Sequence, residues 1–375
     1  MKASDFEDMR PYVDAEIPAA MKRIVESEFF ALLAAYVFPD RPIEDVRREV
    51  LGYKSVYEFQ HGVMWYVNEQ IEKRSTSGIK VTGLEHLDTK KNYLYVSNHR
   101  DIMLDASFLQ NALAAAGHDT TEITFGANLM HPQLAVDIGC SNKMFKVERG
   151  DGSPRAFYES SKHLSDYIRY TILEKKQSVW IAQRNGRTKD GNDATAPGII
   201  KMFCMSGKGD KVHSLAELGV VPIAISYEWE PCDFLKALEL YQSRFEKYVK
   251  KPGEDLNSIL TGITQFKGGV NIHVCKPLTE IDLRPFAGCT SIEFTGGVAK
   301  LIDSRIYPEY KLYPNNFIAH DLRFGQERFV DRYTPAQKKA FLDRLAKLDG
   351  YEVEDPDLLK DIFLSIYSNP IANCL

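Results

Sequence analysis

The pattern of apolar and polar positions changes near residue 78. Before this point it follows helical spacing: Phe59, Val63, Val67 and Ile71 recur four residues apart and form one apolar stripe. After it, short apolar runs rich in β-branched residues alternate with helical stretches. We predict strands at residues 79–81, 93–96, 122–125, 178–182, 220–226 and 269–275, and helices near 102–116, 154–174, 232–250 and 288–306. Strands that alternate with helices indicate an α/β sheet flanked by helices.

Helix boundaries are clear near the end of the chain. Thr334 and Gln337 form a capping box, with Pro335 at the first helical position between them. The pair Asn369-Pro370 is expected to end the last helix, because proline cannot continue the hydrogen-bond ladder.

The chain of 375 residues is long enough for two domains, or for one large domain with additions. We predict three regions: a helical N-terminal region at 1–78, an α/β domain at 79–280 and a mainly helical C-terminal extension at 281–375. No linker rich in Pro, Gly or Ser separates these regions, so we expect them to pack as one body.

Composition excludes several classes of protein. Hydrophobic residues make up 44% and charged residues 26%, which excludes a largely disordered chain. The six cysteines are scattered without a C-x-x-C pair, which favours a reducing, cytoplasmic location over a disulfide framework or a zinc site. The longest apolar run covers ten residues, 29–38, whereas a membrane-spanning helix needs roughly 20. We also find no secretory signal, and therefore expect a cytoplasmic protein that can sit at the cytoplasmic face of a membrane.

Charge is distributed unevenly. The net charge is −5, but residues 142–211 contain 14 Lys or Arg against 8 Asp or Glu. A basic middle in an acidic chain suits an anionic small molecule or a lipid headgroup. It is not the strongly basic pattern of a nucleic-acid-binding protein, so nucleic acid is not an expected partner.

The segment with the most specific chemistry is 92–109. A predicted strand runs into Ser97-Asn98-His99-Arg100-Asp101, and a helical pattern follows. A turn from strand to helix is where open α/β sheets place ligand-binding groups. His99 lies on this turn, with Asp101 and Asp105 nearby in sequence. A histidine oriented by a carboxylate can act as a general base. Alternatively, these residues have a purely structural role as a cluster that caps the helix.

This segment resembles the first signature of the glycerolipid acyltransferase family, which includes glycerol-3-phosphate and 1-acylglycerol-3-phosphate acyltransferases. The family has a strand, then Asn-His, then an Asp after four intervening residues. Here five residues lie between His99 and Asp105. Either Asp105 or Asp101 then orients the histidine, and we favour Asp105 because it follows the apolar triplet 102–104.

Two later segments resemble the second and third signatures. Residues 144–150 are apolar-rich and include Arg149, which would bind the acceptor's phosphate or carboxylate through its planar guanidinium. Residues 183–191 follow a predicted strand, where the family has Glu-Gly-x-Arg-Ser/Thr. The resemblance implies that this loop binds substrate through Arg184, Asn185, Gly186, Arg187 and Thr188. Asn185 stands in place of the family's Glu and cannot supply its charge.

The fourth signature is an apolar strand with an internal proline, which Pro222 matches within 218–226. Proline in a strand predicts an edge, an end or a bulge. The four segments occur in family order over residues 92–226. The resemblance implies a mixed sheet flanked by helices, with Pro222 among the substrate-binding residues.

The resemblance also implies a function. His99 and Asp105, or Asp101, would transfer a fatty acyl group from acyl-CoA or acyl carrier protein to the hydroxyl of a glycerophosphate-type or related polar-lipid acceptor. Such a reaction belongs to phospholipid biosynthesis and needs neither a metal nor another cofactor. A peripheral membrane surface is a further expected partner. The stripe at Phe59, Val63 and Val67 could line an acyl groove or contact the membrane, or it could simply be core.

Two other functions use the same residues. One is a catalytically weakened lipid- or thioester-binding protein, suggested by Asn185 and by the extra residue before Asp105. The other is a thioester hydrolase, in which the same His-Asp pair activates water.

Overall fold

The computed structural model describes residues 2–148 and 152–375. Within these ranges seven strands form one sheet. The strands are β1 Gly78–Thr82, β2 Leu94–Ser97, β3 Glu122–Gly126, β4 Met144–Val147, β5 Val179–Ala182, β6 Val220–Tyr227 and β7 Gly269–Val274. Their order is β1-β7-β6-β2-β5-β3-β4, and all neighbours are parallel except β6 and β7. The predicted α/β fold with a mixed sheet is confirmed.

Helices cover both faces of this sheet and continue beyond it at both ends of the chain. The α-helices are α1 Ile17–Glu26, α2 Phe30–Val37, α3 Ile43–Gly52, α4 Val56–Phe59, α5 Trp65–Ser75, α6 Leu104–Ala115, α7 Gln133–Ser141, α8 Pro154–Leu173, α9 Pro197–Cys204, α10 Lys211–Ala216, α11 Asp233–Gln242, α12 Glu254–Thr264, α13 Glu280–Leu283, α14 Ser291–Ile306, α15 Pro314–Phe324, α16 Pro335–Leu345 and α17 Pro356–Cys374. A π-helical turn, Gln60–Met64, joins α4 to α5.

The hydrophobic pattern predicts six of the seven strands. It misses β4, which has only four residues and lies at the edge of the sheet. The inner strands β2 and β6 are buried along their whole length. Strands covered on both faces have nearly continuous apolar sequences, which is why these two were easy to recognise.

Side chains that alternate along the strands supply two separate cores. On one face Leu94 and Val96 pack with residues of α8, α9 and α14. On the other face Tyr95 packs with Ile71 of α5 and with Leu109 of α6. Helix α6, which directly follows the turn that carries His99, covers this second face.

The helical regions at the two ends have apolar clusters of their own. Phe59 is buried in the N-terminal cluster and Ile71 under the sheet, while Val63 and Val67 are partly buried against these groups. The apolar stripe is therefore core. The boundaries at residues 78 and 280 remain a prediction.

One predicted helix end is confirmed and another is wrong. Thr334 accepts a hydrogen bond from the backbone N–H of Gln337 and begins α16. Helix α17, however, continues through Pro370 to Cys374. A proline there cannot donate to the carbonyl of Ile366, and Gly191 packs closely against that carbonyl, since a Cβ at Gly191 would lie only 2.2 Å from it. Tertiary packing thus tolerates a proline that local rules treat as a helix end.

Candidate active site

His99 and Asp105 form a hydrogen-bonded pair at the carboxyl end of β2. The His99 Nδ1 atom lies 2.9 Å from Asp105 Oδ2. Asp101 does not contact the imidazole; its Oδ1 accepts hydrogen bonds from the backbone N–H groups of Met103 and Leu104, at 2.9 Å each, and caps α6. Both sequence interpretations therefore describe part of the turn, since Asp105 bonds to the histidine while Asp101 caps the helix.

The turn explains how five intervening residues still allow this contact. Helix α6 begins at Leu104, so Asp105 lies in its first turn. There the Asp105 carboxylate also accepts the backbone N–H groups of Arg100, at 2.6 Å, and Asp101, at 3.0 Å. The chain between His99 and Asp105 thus folds around the carboxylate, and the extra residue is absorbed in this turn.

Asp105 is buried and is held in its ionised form. Burial alone would raise its pKa, but hydrogen bonds and charge interaction from His99, together with the hydrogen bond from Tyr227, lower the pKa of Asp105 below its usual value. The Tyr227 hydroxyl donates to Asp105 Oδ1 at 2.7 Å. An ionised carboxylate only accepts, so Nδ1 of His99 carries a proton and Nε2 of the neutral imidazole has a free lone pair.

Nε2 of His99 makes no hydrogen bond within residues 2–148 and 152–375, and the His99 side chain is 13% exposed. The imidazole packs with its ring at a steep angle to the buried Trp180 of β5, with 5.6 Å between ring centroids. The histidine is thus fixed on one side by Asp105 and Trp180, and its second nitrogen can take a proton from a bound hydroxyl.

The loop after β5 lies against the His99 turn. The backbone N–H of Thr188 donates to the carbonyl of His99 at 2.8 Å. Gly186 has a φ of +74°, a conformation that favours glycine and turns the loop at this point. Nη1 of Arg187 and Oγ1 of Thr188 are buried without a hydrogen-bond partner in the described chain. Buried polar atoms are normally satisfied, so these two atoms have unused capacity to bond a polar ligand.

The other residues of this loop lie further out. Arg184 Nη1 donates to the carbonyl of Asn192 at 3.2 Å, and Asn185 is exposed. None of the described contacts joins either side chain to the His99-Asp105 pair. Their predicted roles in substrate binding remain predictions.

Two predicted site residues lie elsewhere. Arg149 falls outside the described residues. Pro222 is buried in β6 opposite Val96 of β2, one residue before the ladder between β6 and β7 begins at Ile223. The prediction that this proline marks an edge or an end of a strand is wrong, because Pro222 is the third residue of β6, which lies between β2 and β7 in the sheet. Its contact with substrate remains a prediction.

Sequence reasoning missed several residues that build the site. Tyr227 supplies the second donor side chain to Asp105 and directly follows the fourth signature. Asn98 joins β2 to β6, because its amide bonds both the N–H and the carbonyl of Ile225. Arg100 is fully buried, and no role was predicted for it from the sequence. An arginine directly after an Asn-His pair that ends a buried strand was the available signal.

Among the described residues, no three His, Cys, Asp or Glu side chains are grouped so that they could hold a metal ion.

Residues 78–226 match the family model described as Acyltransferase. This match spans the four signatures, and the resemblance to the glycerolipid acyltransferase family is confirmed. Among solved structures, the chain is similar to the 1-acyl-sn-glycerophosphate (LPA) acyltransferase, PlsC, from Thermotoga maritima. That match has 14% sequence identity and a TM-score of 0.35, and it covers 77% of this chain and 94% of that one. No curated protein matches this sequence. In the part of the chain that the structure describes, every helix is too short or too polar to cross a membrane.

Proposed function

We propose that the protein transfers a fatty acyl group from acyl-CoA or acyl carrier protein to the hydroxyl of a glycerophosphate-type or related polar-lipid acceptor. The observation that carries this proposal is the hydrogen-bonded chain Tyr227-Asp105-His99, which leaves the Nε2 atom of His99 without a partner in the described chain, within the stretch that matches the acyltransferase model. The place of such a reaction is phospholipid biosynthesis.

The chemistry follows from the orientation of the imidazole. Nε2 of His99 removes the proton of the acceptor hydroxyl while its oxygen attacks the thioester carbonyl. Asp105 holds the tautomer and stabilises the imidazolium that forms. When the tetrahedral intermediate collapses, the carbon–sulfur bond breaks and the leaving thiolate takes the proton back from His99. An ester and a free thiol are the products, and His99 returns to its neutral form.

The acceptor's anionic group would bind at Arg187. Its buried Nη1 atom has no partner in the described chain, and the neighbouring Thr188 bonds the backbone of His99. A phosphate bound there would satisfy the guanidinium and stand close to the general base. Arg184 and Asn185 would contact the polar head from the exposed side of the loop, and Arg149 would supply a further cation.

The test is a transfer assay with two donors, acyl-CoA and acyl-loaded acyl carrier protein, each labelled in the acyl group. Each donor is combined with glycerol-3-phosphate, its 1-acyl derivative, or monoacylglycerol, which lacks the phosphate. We expect a labelled ester that forms only with a phosphorylated acceptor. Thiol release that is equal without any acceptor would instead identify a hydrolase. Tight donor binding without either product would identify a binding protein.

Replacing Arg187 with lysine should weaken acceptor binding selectively. Lysine keeps the charge but loses the planar pair of donors, so the acceptor KM should rise about tenfold, or about 1.4 kcal/mol. The donor KM should change less than twofold. Arg155→Lys, on the exposed start of α8 in the same basic segment, is the matched control and should change neither constant. Equal effects of Arg187→Lys on both KM values would remove Arg187 from the acceptor site.

We also propose that an anionic membrane surface is a partner of the segment that joins β6 to β7. This segment exposes Phe245, Val249, Leu256 and Leu260, with exposed fractions between 52% and 75%. Residues 244–255 contain one arginine and three lysines against two glutamates and one aspartate. Apolar side chains next to lysines suit the boundary between anionic headgroups and acyl chains. Helix α12 also borders the site, since a Cβ at Gly262 would lie 2.2 Å from Asp101 Oδ2.

Vesicle binding tests this membrane contact. The double variant Leu256→Asp, Leu260→Asp should bind vesicles of anionic phospholipid at least tenfold more weakly than the wild type in a sedimentation assay. Leu32→Asp changes a still more exposed leucine on α2 and should bind like the wild type. A loss of binding in the Leu32→Asp variant alone would place the membrane contact on the N-terminal helices.

A further inference from the structure

We infer that Arg100 is a positioning residue that couples the His99 turn to the loop carrying Arg187 and Thr188. This inference rests on the proposed acyl transfer for its kinetic test, but its structural test does not depend on any activity. Arg100 lies in the turn between His99 and Asp101, and its side chain is 1% exposed.

The backbone of Arg100 forms part of the catalytic turn. Its N–H donates to Asp105 Oδ2 at 2.6 Å, the same oxygen that lies against His99 Nδ1. Its carbonyl accepts a hydrogen bond from the ammonium of Lys236, on α11, at 2.6 Å. Any shift of Arg100 would therefore move a donor of the carboxylate that orients the imidazole.

The guanidinium reaches the other loop. Nε and Nη2 of Arg100 donate to Asp193 Oδ2 at 2.9 and 2.5 Å, and Nη2 also approaches the carbonyl of Gly191 at 3.4 Å. Asp193 and Gly191 belong to the segment that continues from Arg187 and Thr188. The Arg100 side chain thus links the His99 turn to the loop after β5, the two segments that form the candidate site.

These charges form a buried set, in which Asp193 bonds through Oδ2 while its Oδ1 has no partner in the described chain. Arg100 Nη1 lies 3.2 Å from Glu230 Oε2, and Lys236 lies 2.6 Å from Glu230 Oε1. The cations Arg100 and Lys236 are nearly inaccessible to solvent, and so are the anions Glu230 and Asp193. Balanced, hydrogen-bonded charges of this kind fix one geometry, because each group that moves leaves a partner unpaired in a medium of low dielectric constant.

Residues beyond the matched segment 78–226 complete this set. The guanidinium of Arg100 lies over the ring of Tyr310, 5.2 Å from its centroid. The backbone N–H of Glu230 donates to the hydroxyl of Tyr367 at 3.1 Å. Part of what holds the two site loops together is therefore supplied by the C-terminal extension.

The chain offers a matched control for a purely structural role. Arg169 on α8 is also buried, pairs with Glu217, and donates to the carbonyls of Phe203 and Ser214. It lies in the core on the sheet face opposite the one that α6 covers. Arg169→Lys should cost stability much as Arg100→Lys does, without touching either site loop.

Kinetics with the phosphorylated acceptor separate the two roles. We expect Arg100→Lys to lower kcat at least tenfold and to raise the acceptor KM at least threefold, with the donor KM unchanged within twofold. Arg169→Lys should leave all three constants within twofold while lowering Tm to a similar extent. Equal kinetic effects of the two variants would overturn the inference.

Hydrogen exchange measured by mass spectrometry tests the coupling without any substrate. In Arg100→Lys, amides of residues 183–195 should exchange at least fivefold faster, and those of 98–105 should also accelerate. Arg169→Lys should leave both segments unchanged. If Arg100→Lys does not fold, Asp193→Asn removes the same link from the other side and should show the same exchange pattern. Wild-type exchange in these segments would refute the coupling, whereas a protein without acyl transfer that shows the expected exchange would refute only the proposed reaction.

Discussion

Replacing His99 with alanine is expected to lower kcat for acyl transfer by roughly 10²–10⁴-fold, the usual effect of losing a general base. Nδ1 of the imidazole is oriented by an ionised carboxylate, and Nε2 has no hydrogen-bond partner in the described chain. Alanine leaves the cap of α6 intact, because Asp101 makes those hydrogen bonds. The measurement is kcat with the acceptor that the wild type uses, together with the circular dichroism spectrum.

His163 provides a matched control. It also pairs with an aspartate, Asp8, at 3.1 Å, but on the surface of α8. His163→Ala should keep kcat within twofold of the wild type. If His99→Ala also stays within a few-fold while its spectrum is unchanged, the general-base mechanism is wrong.

Asp105→Asn should lower kcat at least 100-fold, whereas Asp101→Asn should change it only a few-fold. Asparagine at 105 has no charge to stabilise an imidazolium, and its amide can hold the histidine in the other tautomer. Asparagine at 101 still presents an oxygen to the first N–H groups of α6, and it caps helices about as well as aspartate. Steady-state kinetics of both variants decide the ranking, and the reverse order would show that Asp101 supports the chemistry.

Asp105→Asn should also change how the stability of the fold responds to acid. The pKa of Asp105 is lower in the folded chain than in the unfolded one, so its carboxylate stabilises the fold above the unfolded value of about 4. This contribution is lost as the pH falls through the folded pKa. Asp105→Asn should therefore show a shallower loss of Tm between about pH 5 and pH 2 than the wild type.

Local sequence rules recovered what depends on neighbours along the chain. The inner strands were visible because they are apolar throughout, and His99 with Asp105 because a strand, a turn and a helix follow one another within 20 residues. Tyr227 and Glu230 lie more than 120 residues from the turn they contact. Only the pairing of β2 with β6 brings them there, and no short pattern encodes that pairing. Pro370 was misread for the converse reason, because the packing that tolerates it comes from a distant loop.

The antiparallel strand β7 has a consequence for how this protein can be divided. The stretch that matches the acyltransferase family begins with β1 and ends at residue 226. Strand β1 nevertheless pairs with β7, which begins more than 40 residues after the end of that stretch. A fragment cut at these limits would leave β1 without its partner strand and would expose one edge of β6 from Ile223 to the fragment's last residue, Ser226. Unpaired strand edges recruit other chains. The unit shared with relatives is therefore smaller than the unit that can be expressed on its own, and a soluble fragment would have to extend at least through β7.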